Sequence, residues 1–200
     1  HGQSAKNTLR VPKLDAEPLL DGRLDETVWE QSAVIDGLAK YFPDSTQVDA
    51  PPASRIYLYY TDRGLYVAAQ FDDPDRTVLS QLTERDTYNA NTDWMHLRIN
   101  PFNDGANDFN FYLTAAGIQA DSRSTPAGSD FGWNGVWESA VQKDAHRWTA
   151  EMFIPYRVRR IPHTPKGKQP TAWGFNVVRS RRSDRTSYSW NFIDRNFDNE

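Results

Sequence analysis

The stretch Arg55-Ile-Tyr-Leu-Tyr-Tyr-Thr-Asp-Arg-Gly-Leu-Tyr-Val-Ala-Ala-Gln-Phe71 decides the fold class. Arg55–Tyr60 and Leu65–Phe71 are rich in the aromatic and β-branched residues that pack well on a pleated surface. Between them lies Thr61-Asp-Arg-Gly64, a turn whose Gly tolerates conformations closed to other residues. The unit reads as a β-hairpin. Asp72-Asp-Pro-Asp75 ends it, because Pro lacks the N–H that a sheet ladder needs.

Working outward toward the C-terminus, the same pattern recurs about every ten residues. In Trp94–Ile99 the side chains alternate, Trp94, His96 and Arg98 against Met95, Leu97 and Ile99, so the second set faces a core. Asn103-Asp-Gly105 turns the chain into Asp108–Thr114, where Phe109, Phe111 and Leu113 share the apolar face opposite Asn110 and Tyr112. Ala116-Gly117 and a strand over Ile118–Asp121 follow. Ser122–Phe131, rich in Ser, Asp, Gly and Pro, reads as a long loop. Trp133–Gln142 and Arg147–Ile154 are strands around Lys143-Asp144, and Pro155 stops the second. Arg157–Gln169 is a basic, Pro-rich connection, and Trp173–Ser180 and Ser187–Phe192 close the pattern. Toward the N-terminus, Asp44–Ser54 is a polar loop, Leu20–Trp29 an acid-rich turn pinned inward by Trp29, and Leu9–Leu14 an edge strand broken by Pro12.

About nine short strands without an amphipathic helix mean an all-β chain. We expect an antiparallel β-sandwich, jelly-roll-like, with long loops and little helix. Residues 1–13 form a lead-in, 14–192 a single domain, and 193–200 the start of a linker or a truncated continuation.

Composition narrows the function. The chain has 200 residues, 38% hydrophobic and 13% aromatic, enough apolar surface for a core with aromatics to spare for a stacking surface. A net charge of −4 gives no basic field for nucleic acid, so none is expected as a partner. No apolar run approaches the roughly 20 residues of a membrane-spanning helix. Cys is absent, which removes disulfides, thiolate metal sites and thiol nucleophiles. There is no Gly-x-Ser-x-Gly elbow, and His1, His96, His146 and His163 stand in unrelated contexts, against a hydrolytic triad or a bis-His zinc site.

Three kinds of group remain. Glu151, mid-strand beside Thr149 and Phe153, is expected to pair with an Arg such as Arg98 or Arg179. Hard oxygen ligands crowd Asp21/Asp25, Asp72/Asp73/Asp75, Asp86/Asp93 and Asn103/Asp104/Asp108, a chemistry that suits calcium as well as turn capping. Asp21, Asp25, Asp72, Asp75 and Asp93 are the candidate metal ligands. For a sugar, which stacks its apolar face on an aromatic ring, the candidates are Tyr88, Trp94 and Trp133, with His96, Arg98 and Asn110 bonding hydroxyls. Trp29, Trp148, Trp173 and Trp190 are assigned to the core. Arg179-Ser-Arg-Arg182 with Arg185 reads as a hairpin tip or an interface.

Several of these motifs occur together in one family. Leu20-Asp-Gly-Arg-Leu-Asp-Glu-x-x-Trp29, Gly64-Leu-Tyr-Val67 with Phe71-Asp-Asp-Pro74, Asp93-Trp-x-x-Leu-x-Ile99, Gly117-x-Gln-x-Asp121 and Trp148-Thr-Ala-Glu-x-x-Ile-Pro155 resemble family 9 carbohydrate-binding modules over about Leu14–Trp190. The subgroup most similar lies at the N-terminus of larger bacterial proteins whose remainder looks like an outer-membrane β-barrel. Asp93–Phe102 and Trp133-Asn-Gly-x-Trp137 are typical of it. The resemblance implies a β-sandwich with calcium in its loops, a carbohydrate partner, no catalysis, and a periplasmic, outer-membrane-associated or secreted location with a role in polysaccharide catabolism. It also implies binding of chain ends between two aromatic side chains. The chain departs from that pattern: Tyr88 stands for the first stacking Trp, His96 for a sugar-bonding Glu, and only Phe192 and Phe197 follow Trp190. Two alternatives stay open, an interaction or plug-like domain of an outer-membrane protein that has lost the sugar site, and a haem-binding relative using His96 or a Met.

Overall fold

A computed structural model describes residues 6–46, 48–158 and 172–193. It consists of two antiparallel sheets. One has five strands in the order β1(Ala33–Asp36), β3(Ser54–Tyr60), β4(Gly64–Asp72), β10(Arg147–Pro155), β9(Glu138–Lys143). The other has seven: β2(Ala39–Phe42), β12(Thr186–Ser189), β11(Gly174–Arg181), β5(Trp94–Asn100), β6(Asp108–Thr114), β7(Gln119–Thr125), β8(Gly128–Asp130). The expected sandwich and the 55–71 hairpin are both present, the latter as β3 and β4 paired from Ser54↔Phe71 to Tyr60↔Leu65.

Between the sheets lie the alternating apolar sets. Met95, Leu97 and Ile99 of β5 and Phe109, Phe111 and Leu113 of β6 meet Ile56, Leu58, Val67, Phe71, Trp148 and Met152 from the other sheet. The five-stranded sheet is covered on its outer face too. There Tyr59, Tyr66, Ala68 and Phe153 pack under Val28 and Trp29, with Leu14, Leu20 and Leu24 around them. Two-sided cover explains why β4 is buried at nearly every position instead of at alternate ones. Trp29 is buried as expected, but against the outside of this sheet and not inside the sandwich.

The opening segment is thus the lid of the five-stranded sheet, and Gly22 shows how closely it is laid down. Its φ is +84°, and a Cβ there would sit 2.6 Å from the carbonyl carbon of Val141. The outer face of the seven-stranded sheet has no comparable cover among the described residues, and it carries the polar side of β5 and β6.

Three local expectations change, and one unassigned stretch forms strands. Residues 33–42 form β1 and β2, one on each sheet, edge strands too short and too mixed in polarity to show a period. The strand expected from Trp133 begins only at Glu138, since Trp133 and Trp137 both turn into the core from a loop. The loop expected over Ser122–Phe131 is instead the end of β7 paired with β8, polar because it is a sheet edge exposed to water. Leu9–Leu14 contributes a single bridge, Lys13 to Tyr60. Parts of three assigned segments (the lead-in, the connection after Arg157, the stretch after 193) lie outside the described residues, as do His1 and His163.

Candidate functional site

Five of the six residues expected to touch sugar meet on the outer face of the seven-stranded sheet. Register puts His96 opposite Tyr112 and Arg98 opposite Asn110 across β5 and β6, so their side chains rise side by side. The rings of His96 and Tyr112 stack at 4.3 Å between centroids and 12° between planes. Tyr88, from the loop before β5, stacks on the other side of Tyr112 at 4.1 Å and 17°. Trp94 stands edge-on to both tyrosines, at 80° to Tyr88 and 64° to Tyr112. Tyr88, Trp94, His96 and Tyr112 are all half-buried.

Next to this stack lies a polar row. His96 Nε2 bonds Asn110 Oδ1 at 2.8 Å, Asn110 Nδ2 donates to Ser124 Oγ, and Ser124 meets Ser129 at 3.0 Å. Arg98 Nη2 pairs with Asp108 Oδ2 at 2.6 Å, the Arg about half exposed and the Asp nearly buried. Burial lowers the pKa of His96 to about 4, so its ring is neutral near pH 7 and has one N–H to donate and one bare nitrogen to accept. With Arg98 balanced by Asp108, the surface is an aromatic patch flanked by neutral amide and hydroxyl groups.

Arg85 fixes the loop that carries Tyr88. Its guanidinium binds Asp121 Oδ2 at 2.5 Å and Gln119 Oε1 at 2.8 Å. Asp121 is buried and also holds the indole N–H of Trp137 at 2.9 Å and the Gly135 N–H at 3.2 Å. One carboxylate of β7 therefore anchors two loops.

Trp133 is a correction. It is only 3% exposed and packs on Phe109 and Phe111, where no ligand can reach its face. Gly135 lets the loop close over the ring, with a Cβ position 3.0 Å from Trp133. The residue that sequence reading passed over is Tyr112, placed only on the polar side of its strand. Its alternation with Phe111 and its position opposite His96 were the available signal. Phe192 is 67% exposed at the edge of the structure, and Phe197 lies outside the described residues.

The metal candidates divide. Asp21, Glu26 and Glu151 bring carboxylate oxygens within 4.8 Å of one another, and this group can hold a metal ion. Glu151 is fully buried, so the expected Arg partner is replaced by N–H groups: those of Asp21 at 2.9 Å and Gly22 at 2.8 Å on one oxygen, and the indole of Trp29 at 3.1 Å on the other. Burial, with the charge of Glu26 beside it, raises its pKa to about 7. A cation is the group that would relieve three converging carboxylates, so the donor set fits a hard divalent ion.

Asp25 is exposed and outside this group. Asp72, Asp75 and Asp93 do not converge either. Asp72 pairs with Arg147 at 2.5 Å and Asp75 is exposed on its turn. Asp93 is buried where Arg179 and Arg181 already supply positive charge. There Arg181 binds Asp73 at 2.9 Å, the Arg182 N–H binds Asp93 Oδ1 at 2.8 Å, and Arg179 donates to the carbonyls of Ala53 and Asp72. Burial holds Asp93 up at about 6. The Arg-rich stretch is thus a hairpin between β11 and β12 whose first Arg is a core residue, 1% exposed over the Phe71 ring. Met95 and Met152 are fully buried between the sheets, out of reach of a haem iron on the His96 face.

No protein-family model matches the chain, and no curated protein matches its sequence. Solved structures do. A family 9 carbohydrate-binding module from Caldicellulosiruptor kristjanssonii in complex with glucose matches at TM-score 0.54 and 17% identity, over 90% of this chain and 88% of that one. The same organism's module in complex with cellotriose matches at 0.55 and 17%, over 90% and 86%. A putative carbohydrate-binding protein from Bacteroides uniformis matches at 0.69 and 13%, over 94% and 91%. The chain therefore has the fold of family 9 carbohydrate-binding modules, over nearly its whole length.

Proposed function

We propose that this is a non-catalytic carbohydrate-binding domain of an extracytoplasmic protein that takes part in polysaccharide catabolism. The observation that carries the reading is the outer face of the seven-stranded sheet. It gathers Tyr88, Trp94 and Tyr112 next to His96, Asn110 and Arg98 on a fold whose solved relatives include modules in complex with glucose and cellotriose. Aromatic rings offer an apolar surface to the C–H face of a pyranose, and neutral amide, imidazole and hydroxyl groups exchange hydrogen bonds with its hydroxyls. The same reading gives Asp21, Glu26 and Glu151 a structural calcium ion that pins the opening segment to β10. Calorimetric titration against a panel of neutral glycans tests the reading: millimolar or tighter binding of at least one is expected, and silence across the panel would refute it. The calcium assignment predicts a higher melting temperature with millimolar calcium than with a chelator.

A further inference from the structure

The turn that leads into Tyr88 is laid along a sheet edge. β8 covers β7 only from Arg123 to Thr125, which leaves the outward backbone groups of Gln119 and Asp121 beyond its reach. Asp86 takes the place of a strand residue there. Its N–H donates to the Gln119 carbonyl at 3.0 Å, and its carboxylate accepts the Asp121 N–H at 3.4 Å. To do so Asp86 holds φ at +68°, the left-handed region that Asp enters more readily than most residues. The turn is closed by the Thr87 N–H on the Glu84 carbonyl at 3.2 Å and by the Thr83 hydroxyl on the Thr87 carbonyl at 2.8 Å.

Arg85 locks the turn in that position. Its guanidinium spans three acceptors: Asp121 Oδ2 at 2.5 Å, Gln119 Oε1 at 2.8 Å and the Gly135 carbonyl at 3.3 Å. The Asp121 side chain is fully buried, so swinging the turn away would strip a buried carboxylate of the cation paired with it. The two anchor points, Gln119 and Asp121, flank Ala120, which is paired in register with Tyr112. Tyr112 is the ring on which Tyr88 stacks at 4.1 Å. The lock and the ring it serves thus stand on the same stretch of sheet.

We infer, on the carbohydrate binding proposed above, that Arg85 is a positioning residue of the sugar face: it holds Tyr88 flat on Tyr112 before a ligand arrives. The aromatic wall is then preformed, and the glycan does not have to order the turn. Arg85 acts on affinity through Tyr88 and not by touching the sugar.

The test is a double-mutant cycle between Arg85→Lys and Tyr88→Ala in the intact chain, read by calorimetry with the strongest ligand of the glycan panel. Lys keeps a positive charge for Asp121 but gives up the planar fork that spans three acceptors. Arg85→Lys is expected to melt within a few degrees of the wild type and to bind at least fivefold more weakly. In the Tyr88→Ala background the same change should alter affinity less than twofold. No loss from Arg85→Lys, or an equal loss in both backgrounds, would overturn the inference and leave carbohydrate binding intact. NMR of the unliganded chain decides where Tyr88→Ala binds too weakly to titrate. The Tyr88 ring protons should be shifted upfield by the Tyr112 ring in the wild type and move toward free-tyrosine positions in Arg85→Lys; an upfield shift that survives in the variant would overturn the inference. Silence of the wild type with every glycan would remove it together with the proposed function.

Discussion

The buried carboxylate of Glu151, in the middle of β10, accepts the indole N–H of Trp29 at 3.1 Å. Those two residues join the opening segment to the sheet it covers, and the same carboxylate takes the backbone N–H groups of Asp21 and Gly22. Glu151→Ala would leave the N–H groups of Asp21 and Gly22 without their acceptor under the lid, and the Trp29 indole with Glu26 Oε2 alone at 3.2 Å. Each orphaned group costs about 1–3 kcal/mol, so a loss of about 2 kcal/mol or more is expected from denaturant unfolding. A loss under 1 kcal/mol would show that the lid is held by its apolar contacts alone.

The pKa of Glu151 is raised to about 7. The folded state therefore holds a proton that the unfolded chain has already released, and stability falls as pH rises from about 4.5 to 7. Asp93, raised to about 6, acts in the same direction. In the Glu151→Gln variant the first contribution is absent, so its melting temperature should decline less over this window than the wild type's. Calcium should have its largest stabilising effect at and above pH 7, where Glu151 is ionised. Identical pH profiles for the two proteins, with and without calcium, would contradict both statements.

His96 works in the opposite sense. With its pKa lowered to about 4, it stays neutral in the fold while the unfolded chain takes up a proton below about 6.5. Stability from this group is complete above 6.5 and is lost as pH falls toward 4. His96→Gln should reduce that acid-side loss. The His96 imidazole resonances should titrate near pH 4, and a midpoint near 6.5 for this residue would show that its ring is not desolvated.

Trp133 and Tyr88 should separate stability from binding. Trp133→Ala empties a core position against Phe109 and Phe111 and is expected to cost about 3–5 kcal/mol. Tyr88→Ala removes a half-buried ring from a loop and should leave the melting temperature within a few degrees while weakening sugar binding at least tenfold. Weaker binding by a stably folded Trp133 variant alone would reverse the two assignments.

The strands were legible where one face is apolar and the other polar, as in Trp94–Ile99 and Asp108–Thr114. They were not where the pattern carries no contrast. β1, β2 and β8 are short edge strands with mixed or fully exposed side chains, and alternation has nothing to report there. The gathering of Tyr88, Trp94, His96, Arg98 and Asn110 was visible because four of them alternate outward on two adjacent strands. The role of Tyr112 was missed because its partners come from register, which sequence spacing does not supply. Trp133 was misplaced for a related reason: a Gly-rich loop can open a ring to solvent or fold it into the core, and only the packing of β6 decides. Glu151 was expected to find an Arg, but the chain satisfies it with N–H groups from a segment 130 residues away. The arginines are consumed elsewhere, Arg98 by Asp108 and Arg179 at the buried end of β11.

The claim that the outer face of the seven-stranded sheet binds carbohydrate is tested most directly by one calorimetric comparison. The strongest ligand of the glycan panel is titrated into the wild type and into Trp94→Ala, whose ring meets Tyr88 at 5.3 Å, with folding of both verified by circular dichroism. The account predicts measurable binding to the wild type and at least a tenfold loss in the variant. Equal affinity in both proteins would place the sugar elsewhere and contradict it.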